Sequence, residues 1–353
     1  MRKSFVPIKD SSIYEQFPDR NTGHDEIVDI GKSSSGTYSI RSLIQFDIGE
    51  VSQSVSTQEI PWDSIFELKL FVARADDLPL FQTIELGAVS ESWDEGSGYF
   101  FQNVNIPFTA SRGPVGGFFE TDGTTWNNRS DGIMWSVPGA TITGSLNLAQ
   151  ISDPVRDMNI DVTSIVKEWI SGSIPSNGFL VKFPDVDEQN INVAGNIKFF
   201  SRQTHTIYVP LLIARWNSQQ YITGSISGSN IDDMTVIPRN VSSVYKMGEI
   251  VKIDLSVRDR YPLKTFDTLF SNYLGNQRLP QTSYFSIVDI QSNTDIIPFG
   301  IDSFIDSDGQ RSLFQFRVEG GMYPGRFYKI LIKVEDQGQS RIFDSGHHFT
   351  VQI

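Results

Sequence analysis

The first candidates for chemistry in this sequence are acidic residues beside an aromatic one. Asp94 and Glu95 directly follow Trp93, an arrangement compatible with a sugar site. Glycoside hydrolysis, however, needs two carboxyl groups that face each other across a cleft, and no acidic pair at the strand ends stands out from the 42 Asp and Glu residues. We therefore predict that Trp93 packs in the interior and that Glu95 accepts hydrogen bonds from backbone amides at a corner of the chain.

Histidine is the other residue type that could hold a metal ion. The sequence has four histidines, which are His24, His205, His347 and His348. Only His347 and His348 are neighbours, and adjacent residues on a strand point to opposite faces of its sheet. Because these two side chains would not bind one ion together, the histidines predict no metal centre.

Two acidic segments have compositions found in calcium loops. Residues 306–309 read Asp-Ser-Asp-Gly, but the twelfth position of such a loop, which a glutamate normally occupies, is Arg317 here. We predict a turn at this segment. Residues 185–188 read Asp-Val-Asp-Glu, and we interpret them as a solvated acidic loop. The sequence therefore predicts neither a metal ion nor another cofactor.

The residue types and motifs that the sequence lacks narrow the function further. With no cysteine, disulfides, thiolate zinc sites and thiol nucleophiles are all excluded. No phosphate-binding glycine motif and no Gly-x-Ser-x-Gly elbow stands between a strand and a helix. A net charge of −13 opposes binding to a phosphate backbone. We therefore predict a protein that is not an enzyme and that binds no nucleic acid.

The hydropathy of the sequence bears on its location. No stretch is long and apolar enough for a membrane span. The first ten residues lack the apolar run of a secretory signal. We therefore expect no membrane association and synthesis in the cytosol.

The elements that would position all of these residues are predicted mainly as β-strands. Apolar and polar residues alternate through several segments, which is the pattern of half-buried strands. The clearest alternating segments are 43–48, 67–73, 83–89, 179–183, 251–257, 314–318, 328–335 and 349–351. The expected fold class is therefore all-β.

One short helix is predicted between Asp161 and Gly172. Ile165 and Trp169 lie one turn apart on a single face of this helix. Asp161 or Thr163 would cap its first turn, and Gly172 would end it. The helix would cover one end of a β-sandwich.

The length of 353 residues is too great for one ordinary core, so we predict two domains. Residues 217–240 are polar and rich in Gly and Ser, a composition typical of a linker. The first domain then covers residues 1–216 and the second covers residues 241–353. Several alternating strands in the second domain predict an immunoglobulin-like sandwich.

An insertion interrupts the first domain at residues 97–123, where aromatic residues appear without a sustained period. Five of them are candidates for a contact surface: Tyr99, Phe100, Phe101, Phe118 and Phe119. A long loop in a compact domain is commonly functional, and aromatic side chains are enriched at protein interfaces. These rings would either anchor a contact with a partner or cover an open sheet edge of their own domain.

The order of short motifs along residues 8–216 resembles the DNRLRE-type, carbohydrate-binding-module-like β-sandwich domains. The matching segments are Asp-Arg-Asn-Thr-Gly at 19–23, Arg-Ser-Leu-Ile-Gln-Phe-Asp at 41–47, Glu-Leu-Lys-Leu at 67–70, Trp-Asp-Glu at 93–95, Thr-Trp at 125–126, Asp-Val-Thr at 161–163 with Trp169, Asn-Gly-Phe at 177–179, Phe-Ser-Arg at 200–202 and Pro-Leu at 210–211. The insertion between Trp93 and Trp126 departs from the family, and the literal DNRLRE string is absent. The resemblance implies a jelly-roll-like β-sandwich with one short helix.

Domains of this kind usually sit in secreted or wall-attached bacterial proteins, and similar ones occur in structural proteins of tailed-phage virions. Because the sequence lacks an export signal, the resemblance favours the virion. The second domain also resembles the Ig-like modules attached to phage tail, neck and fibre proteins. The expected function is therefore that of a non-enzymatic structural component of a tailed-phage virion. Its partners would be other virion structural proteins, with multiple copies in a symmetric assembly.

The alternative function is that of a glycan-binding adhesion module that recognises a host surface polysaccharide. Trp126 and Trp135 would then be exposed rings that stack on sugars. A third function, that of an esterase or glycosidase of the particle, needs a serine or carboxylate constellation that the sequence does not supply.

Overall fold

The computed structural model describes residues 1–78, 81–99, 122–151, 157–224, 231–261 and 277–353. The chain forms two compact units. The amino-terminal unit is Ser4–Ala214, and the carboxy-terminal unit comprises Met1–Lys3 and Arg215–Ile353.

Two sheets organise the chain up to Arg215. The strands, in chain order, are β1 (Arg2–Phe5), β2 (Pro7–Tyr14), β3 (Ile27–Lys32), β4 (Ser39–Phe46), β5 (Ile65–Leu70), β6 (Val72–Asp76), β7 (Gln82–Val89), β8 (Asn128–Ser130), β9 (Ile133–Met134), β10 (Ile142–Ile151), β11 (Met158–Asp161), β12 (Phe179–Lys182), β13 (Asn196–Phe200) and β14 (Leu211–Arg215). The smaller sheet has the order β1-β14-β5-β11. The larger sheet has the order β10-β7-β12-β4-β3-β13-β6, with β2 also paired to β4, and β8 pairs with β9.

Three α-helices lie in the described part of this chain, where the sequence predicted one. They are α1 (Ile48–Ser56), α2 (Thr163–Ser171) and α3 (Asp185–Gln189). Helix α2 is the predicted helix, and Gly172 ends it as predicted, with a left-handed φ of 74°. The residue at the N-cap is Val162, which makes no side-chain cap, so the predicted cap by Thr163 is wrong: its hydroxyl accepts the Phe66 N–H at 2.9 Å. The Asp161 carboxylate accepts the Thr163 N–H at 2.9 Å. Trp169 is buried, and its ring centroid lies 4.6 Å from that of Phe179.

Helix α1 corrects the sequence-based prediction, which extended the strand pattern through Ile48. The strand β4 ends at Phe46, and the Asp47 carboxylate then accepts the N–H groups of Gly49 and Glu50 at 2.9 and 3.3 Å. This cap satisfies free amides of the first turn, so the chain leaves the sheet and begins a helix. Helix α3 likewise occupies the segment that we interpreted as an acidic loop.

The carboxy-terminal unit is built from two packed sheets. Its strands are β15 (Tyr221–Ile222), β16 (Met234–Arg239), β17 (Val244–Lys246), β18 (Ile250–Asp259), β19 (Ser283–Asp289), β20 (Thr294–Ile297), β21 (Asp306–Asp308), β22 (Ser312–Arg317), β23 (Phe327–Asp336) and β24 (Gln339–Gln352), with a 3-10 turn at Ile231–Asp233. The two sheets have the orders β15-β21-β22-β18-β16 and β17-β24-β23-β19-β20.

The core of this unit lies between these two sheets. Phe285 of β19 and Phe314 of β22 are fully buried, with stacked rings whose centroids are 4.5 Å apart. The predicted inward face of β18 is buried as well, from Val251 to Val257 at alternate positions. The all-β prediction for the chain is therefore confirmed.

Two segments differ from their predictions because pairing with other strands of the carboxy-terminal unit orders them. The range 217–240, predicted as a linker, contains β15, the 3-10 turn and β16, and β16 pairs with β18 along its whole length. The segment predicted as a turn at 306–309 forms β21, which pairs with β22, and the chain turns only at Gly309.

Candidate functional site

The aromatic insertion is described by the structure only at its ends. Tyr99 is 42% exposed and makes an edge-to-face contact with His24, with ring centroids 5.8 Å apart. The other four predicted contact residues, Phe100, Phe101, Phe118 and Phe119, lie outside the described residues. A contact role for these rings stays a prediction.

A buried asparagine joins the two ends of the insertion. The side-chain amide of Asn21 donates to the carbonyls of Glu95 and Thr124 at 2.8 and 2.7 Å. Its oxygen accepts the N–H groups of Gly23 and Gly98 at 3.1 and 2.7 Å. One side chain therefore fixes the backbone where the insertion leaves the domain and where it returns.

The carboxylate of Glu95 confirms its predicted role as a backbone acceptor. It accepts the N–H of Asp10 at 3.0 Å and the side-chain amide of Gln203 at 2.9 Å. Asp10 in turn accepts the N–H of Arg202 at 2.6 Å, and burial raises the pKa of Asp10 to about 7. Because Asp10 is only 1% exposed, the two carboxyl groups hold the backbone together and do not face an open cleft.

The tryptophans proposed as sugar platforms are buried, which corrects that prediction. Trp126 is 9% exposed and Trp135 3% exposed, and both belong to an apolar cluster with Trp93. The indole N–H groups of Trp93 and Trp135 donate to backbone carbonyls at 2.7 and 3.0 Å. Sugar stacking requires an exposed ring face, whereas these rings fill a core beside the larger sheet.

The strand β10 exposes two large apolar side chains in the described part of the amino-terminal unit. It lies at the end of the larger sheet and pairs there with β7. Leu146 is 48% exposed and Leu148 is 63% exposed. Residues 132–152 contain no Asp, Glu, Lys, Arg or His, although natural sheets usually protect an edge strand with charge or proline.

A groove of about 750 Å³ runs beside this edge. It is lined by β10 from Leu146 to Gln150, by the end of β11, and by the first residues of α2. The side chain of Asn147 donates to the carbonyl of Asp161 across the groove. The backbone N–H and hydroxyl of Ser145 donate to the carboxylate of Glu168 at 3.0 and 2.5 Å, and these hydrogen bonds lower the pKa of Glu168. The outer edge of β10, the groove beside it and the exposed side chains of Leu146 and Leu148 together form a surface that we call the β10 edge.

Comparison with known proteins identifies no family. No protein-family model matches the chain, and no curated protein matches it. Among solved structures, a β-glucuronidase from Parabacteroides merdae has a TM-score of 0.16 at 8% identity, over 83% of this chain and 29% of that protein. A DUF4785 family protein from Legionella pneumophila has a TM-score of 0.16 at 9% identity, over 99% of this chain and 64% of that protein. The chain thus spans less than two thirds of either neighbour.

Two further observations concern metals and membranes. No group of three or more His, Asp or Glu side chains in the described ranges is arranged to hold a metal ion. Across those same ranges, every helix is too short or too polar to cross a bilayer.

Proposed function

We propose that this protein is a non-enzymatic structural component of a tailed-phage virion, belonging to the neck, the tail, a fibre or the capsid surface, and that it acts through protein–protein contacts. The sequence resemblance of residues 8–216 and of the second domain supports this assignment. The structural observation that carries the contact role is the β10 edge.

Among the described residues, β10 pairs with a strand on one side only and carries no charge, and both properties suit a subunit contact. Its outward backbone groups can pair with a strand of a neighbour, which extends the sheet across the interface. Fully burying a leucine side chain that starts in solvent contributes about 1.5–3 kcal/mol. Leu146 and Leu148 are 48% and 63% exposed, so burying what remains would contribute roughly half of that at each. Because the whole chain carries a net charge of −13, repeated copies repel least where they meet through a segment without charge, and β10 itself carries no charged residue.

The multiple copies expected in a virion fit this kind of contact. Symmetric assemblies repeat one interface many times, so a modest contact energy at each β10 edge accumulates over the assembly. Each interface would need to bury on the order of 1,200 Å² or more to be specific. The aromatic rings of the insertion would add to this area.

The proposal is tested by replacing an exposed leucine with a charged residue. Leu148→Lys places a cation in the β10 edge, whereas Val186→Lys makes the same change at an exposed position on α3, where the side chain is 78% exposed. We expect both variants to keep the thermal stability of the wild type. In purified particles, mass spectrometry should find Val186→Lys at the wild-type copy number and Leu148→Lys strongly depleted.

Two results would count against the proposal, and they are distinguishable. Wild-type protein absent from purified particles would remove the virion assignment. Leu148→Lys incorporated as well as Val186→Lys would show that the β10 edge is not the contact, whatever the particle.

The glycan-binding alternative has no structural observation in its favour at Trp126 or Trp135, because both rings are buried. A glycan array with the wild-type protein tests it directly. Specific binding of a glycan by the folded wild-type protein would restore this alternative, with the binding site at some other surface.

A further inference from the structure

An open groove of about 430 Å³ lies on the surface of the carboxy-terminal unit. The lining residues used below are Asn217, Tyr284, Phe299, Phe304, Lys333 and Glu335, and we call the surface that they form the aromatic groove. Its volume falls in the range of pockets that bind small molecules. Neither the virion proposal nor the β10 edge uses this groove.

The register of two strands brings three of these side chains to one face of their sheet. Tyr284 on β19 lies directly opposite Lys333 on β23, and Glu335 follows Lys333 by two residues on the same strand. Alternate residues of a strand share a face, so the three side chains point to the same side. Phe285, the neighbour of Tyr284, is buried in the core between the two sheets. Tyr284, Lys333 and Glu335 therefore lie on the outer face.

Three aromatic rings line the groove. The rings of Tyr284 and Phe304 have centroids 4.7 Å apart, and their planes meet at 33°. The Nζ atom of Lys333 lies 5.9 Å from the ring centroid of Tyr284 and 5.9 Å from that of Phe299. All three rings are partly exposed. The groove thus presents aromatic surface that the core of the unit does not use.

The charges at the groove neutralise each other. Lys333 and Glu335 are the two charged residues among the described residues that line it, and they form an ion pair with each other. An anion or an organic cation would have to compete with the partner already in place. A calcium ion takes six to eight oxygen ligands, and the groove offers one carboxylate. The pair therefore favours a ligand without net charge.

Polar groups at the same surface oppose a purely apolar ligand. The side-chain oxygen of Asn217 accepts the N–H of Gln219 at 2.8 Å, while its NH2 group has no acceptor among the described residues. An apolar ligand would cover this donor and the Lys333–Glu335 pair without offering them a hydrogen bond, which is unfavourable. The ligand must therefore bring hydrogen-bonding groups of its own.

An uncharged ligand with an apolar face and a rim of hydroxyl groups meets all of these conditions. A pyranose sugar has this constitution. Its C–H groups form an apolar face that packs against aromatic rings, whose faces carry partial negative charge. Its hydroxyl groups both donate and accept, so they can pair with the ammonium and amide donors and with the carboxylate acceptor of the groove.

We propose that the aromatic groove binds a neutral pyranose residue of a glycan, whose C–H face packs against the rings and whose hydroxyl groups bond to Asn217, Lys333 and Glu335. The site lies in the carboxy-terminal unit and involves neither Trp126 nor Trp135. It is also independent of the proposed contact role, because a protein that lacks sugar binding could still enter particles through the β10 edge.

The test uses the full-length protein and a panel of four methyl glycosides, those of glucose, galactose, mannose and N-acetylglucosamine. Chemical-shift titrations of isotope-labelled protein at about pH 7 should show saturable shifts at the backbone amides of Tyr284 and Lys333 with at least one glycoside. Sorbitol, which has the hydroxyl groups of glucose without its ring, should cause none. Saturable shifts with no glycoside, or only at residues away from the groove, would overturn the proposal.

A peptide probe separates the sugar from the other ligand that aromatic grooves take. Proline-rich segments dock on aromatic side chains through their pyrrolidine rings, so an acetylated tetraproline amide is titrated under the same conditions. We expect no saturable response. Binding of this peptide at Tyr284 and Lys333, with no response to any glycoside, would show that the groove recognises a protein segment instead.

A variant that removes a single hydroxyl group tests the polar contacts. Tyr284→Phe keeps the ring, and we expect the responding glycoside to bind about threefold or more weakly, because a hydrogen bond to the sugar is lost. Tyr261→Phe is the matched control, since Tyr261 lies outside the groove and is 73% exposed. Binding by this control should stay within about twofold of the wild type.

A second variant tests the ring contacts. Phe299→Leu keeps an apolar side chain but removes the ring face, so the fold should be retained, and we expect binding about threefold or more weaker. Phe327→Leu makes the same change at an exposed position of β23 outside the groove and should bind like the wild type. Thermal unfolding checks that all four variants are folded. Wild-type affinity in both Tyr284→Phe and Phe299→Leu would overturn the assignment of the groove.

Discussion

The guanidinium of Arg41 lies over the ring of Trp126, with its central carbon 4.9 Å from the ring centroid. Glu188 holds the same guanidinium with two hydrogen bonds, of 3.0 and 2.6 Å. Arg41 also donates to the carbonyl of Gly139 at 2.8 Å. The Trp126 ring, predicted to stack on sugars if the glycan-binding alternative holds, is therefore covered by a cation of its own chain.

Trp126→Ala should consequently lower stability. Truncating a buried aromatic side chain costs about 3–5 kcal/mol in the free energy of unfolding, which urea denaturation measures. Trp62→Ala is the control, because Trp62 is 52% exposed, and we expect a cost below about 1 kcal/mol. Equal losses in the two variants would contradict the buried role of Trp126.

The Arg41–Glu188 pair should be strongly coupled. Its side chains are only 15% and 6% exposed, so removing one partner leaves a buried charge alone, at a cost of about 3–5 kcal/mol. In a double-mutant cycle with Arg41→Met and Glu188→Gln, we expect a coupling energy of about 1–3 kcal/mol. The exposed pair Arg74–Asp76 should show less than about 1 kcal/mol. Additive effects for the buried pair would refute this coupling.

Asn21→Ala should destabilise the amino-terminal unit by at least about 2 kcal/mol. The substitution removes all four hydrogen bonds that Asn21 makes to backbone groups around the insertion and leaves buried polar groups unpaired. Asn127→Ala, which loses one exposed bond to Asp19, should cost below about 1 kcal/mol. Thermal or urea unfolding measures the stability of the two variants. Similar unfolding midpoints for both would exclude the proposed role of Asn21.

The contribution of Asp10 and Asp29 to stability should fall as the pH rises from about 4 to about 7. Burial raises the pKa of both Asp10 and Asp29 from 3.8 to about 7. Below about pH 4 both the folded and the unfolded chain hold these protons, so the stabilising contribution of each group is fully present. Between about pH 4 and 7 only the folded chain keeps them, so this contribution is lost as the folded groups ionise.

The slope of this loss is at most about 1.4 kcal/mol per pH unit for each group. We expect the free energy of unfolding, measured with urea at about pH 5, 6, 7 and 8, to change less steeply with pH in Asp29→Asn than in the wild type. The difference in slope should be at most about 1.4 kcal/mol per pH unit. The exposed Asp131→Asn serves as the control and should leave the slope unchanged. A wild-type slope in Asp29→Asn would show that Asp29 is ionised throughout in the folded protein.

Much of the fold could be predicted from the sequence, because strand alternation is a local property. The buried positions of β18 follow the period of two that the sequence displays. Gly172 ends α2 because its left-handed φ suits glycine. Helix α1 was missed because Ile48 continues the alternation of apolar residues in β4. The strand nevertheless ends before Asp47, because the carboxylate of this residue caps the first turn of the helix.

The candidate sites were less predictable, because they depend on neighbours distant in sequence. Trp126 has a residue type suited to stacking, and only packing against Trp93 and Arg41 decides that it is buried. The exposure of Leu148 depends on the position of β10 at the end of its sheet.

The sequence by itself determined the β-strand alternation, the end of the predicted helix and the uncharged composition of residues 132–152, since each is a property of neighbouring residues. Only the tertiary structure decided which side chains have partners. Asp29 and Asn196, which share a hydrogen bond, are 167 residues apart in the sequence. The other carboxylate oxygen of Asp29 has no partner among the described residues. Its burial and its hydrogen bonding depend on residues from several elements, so the sequence alone does not reveal them.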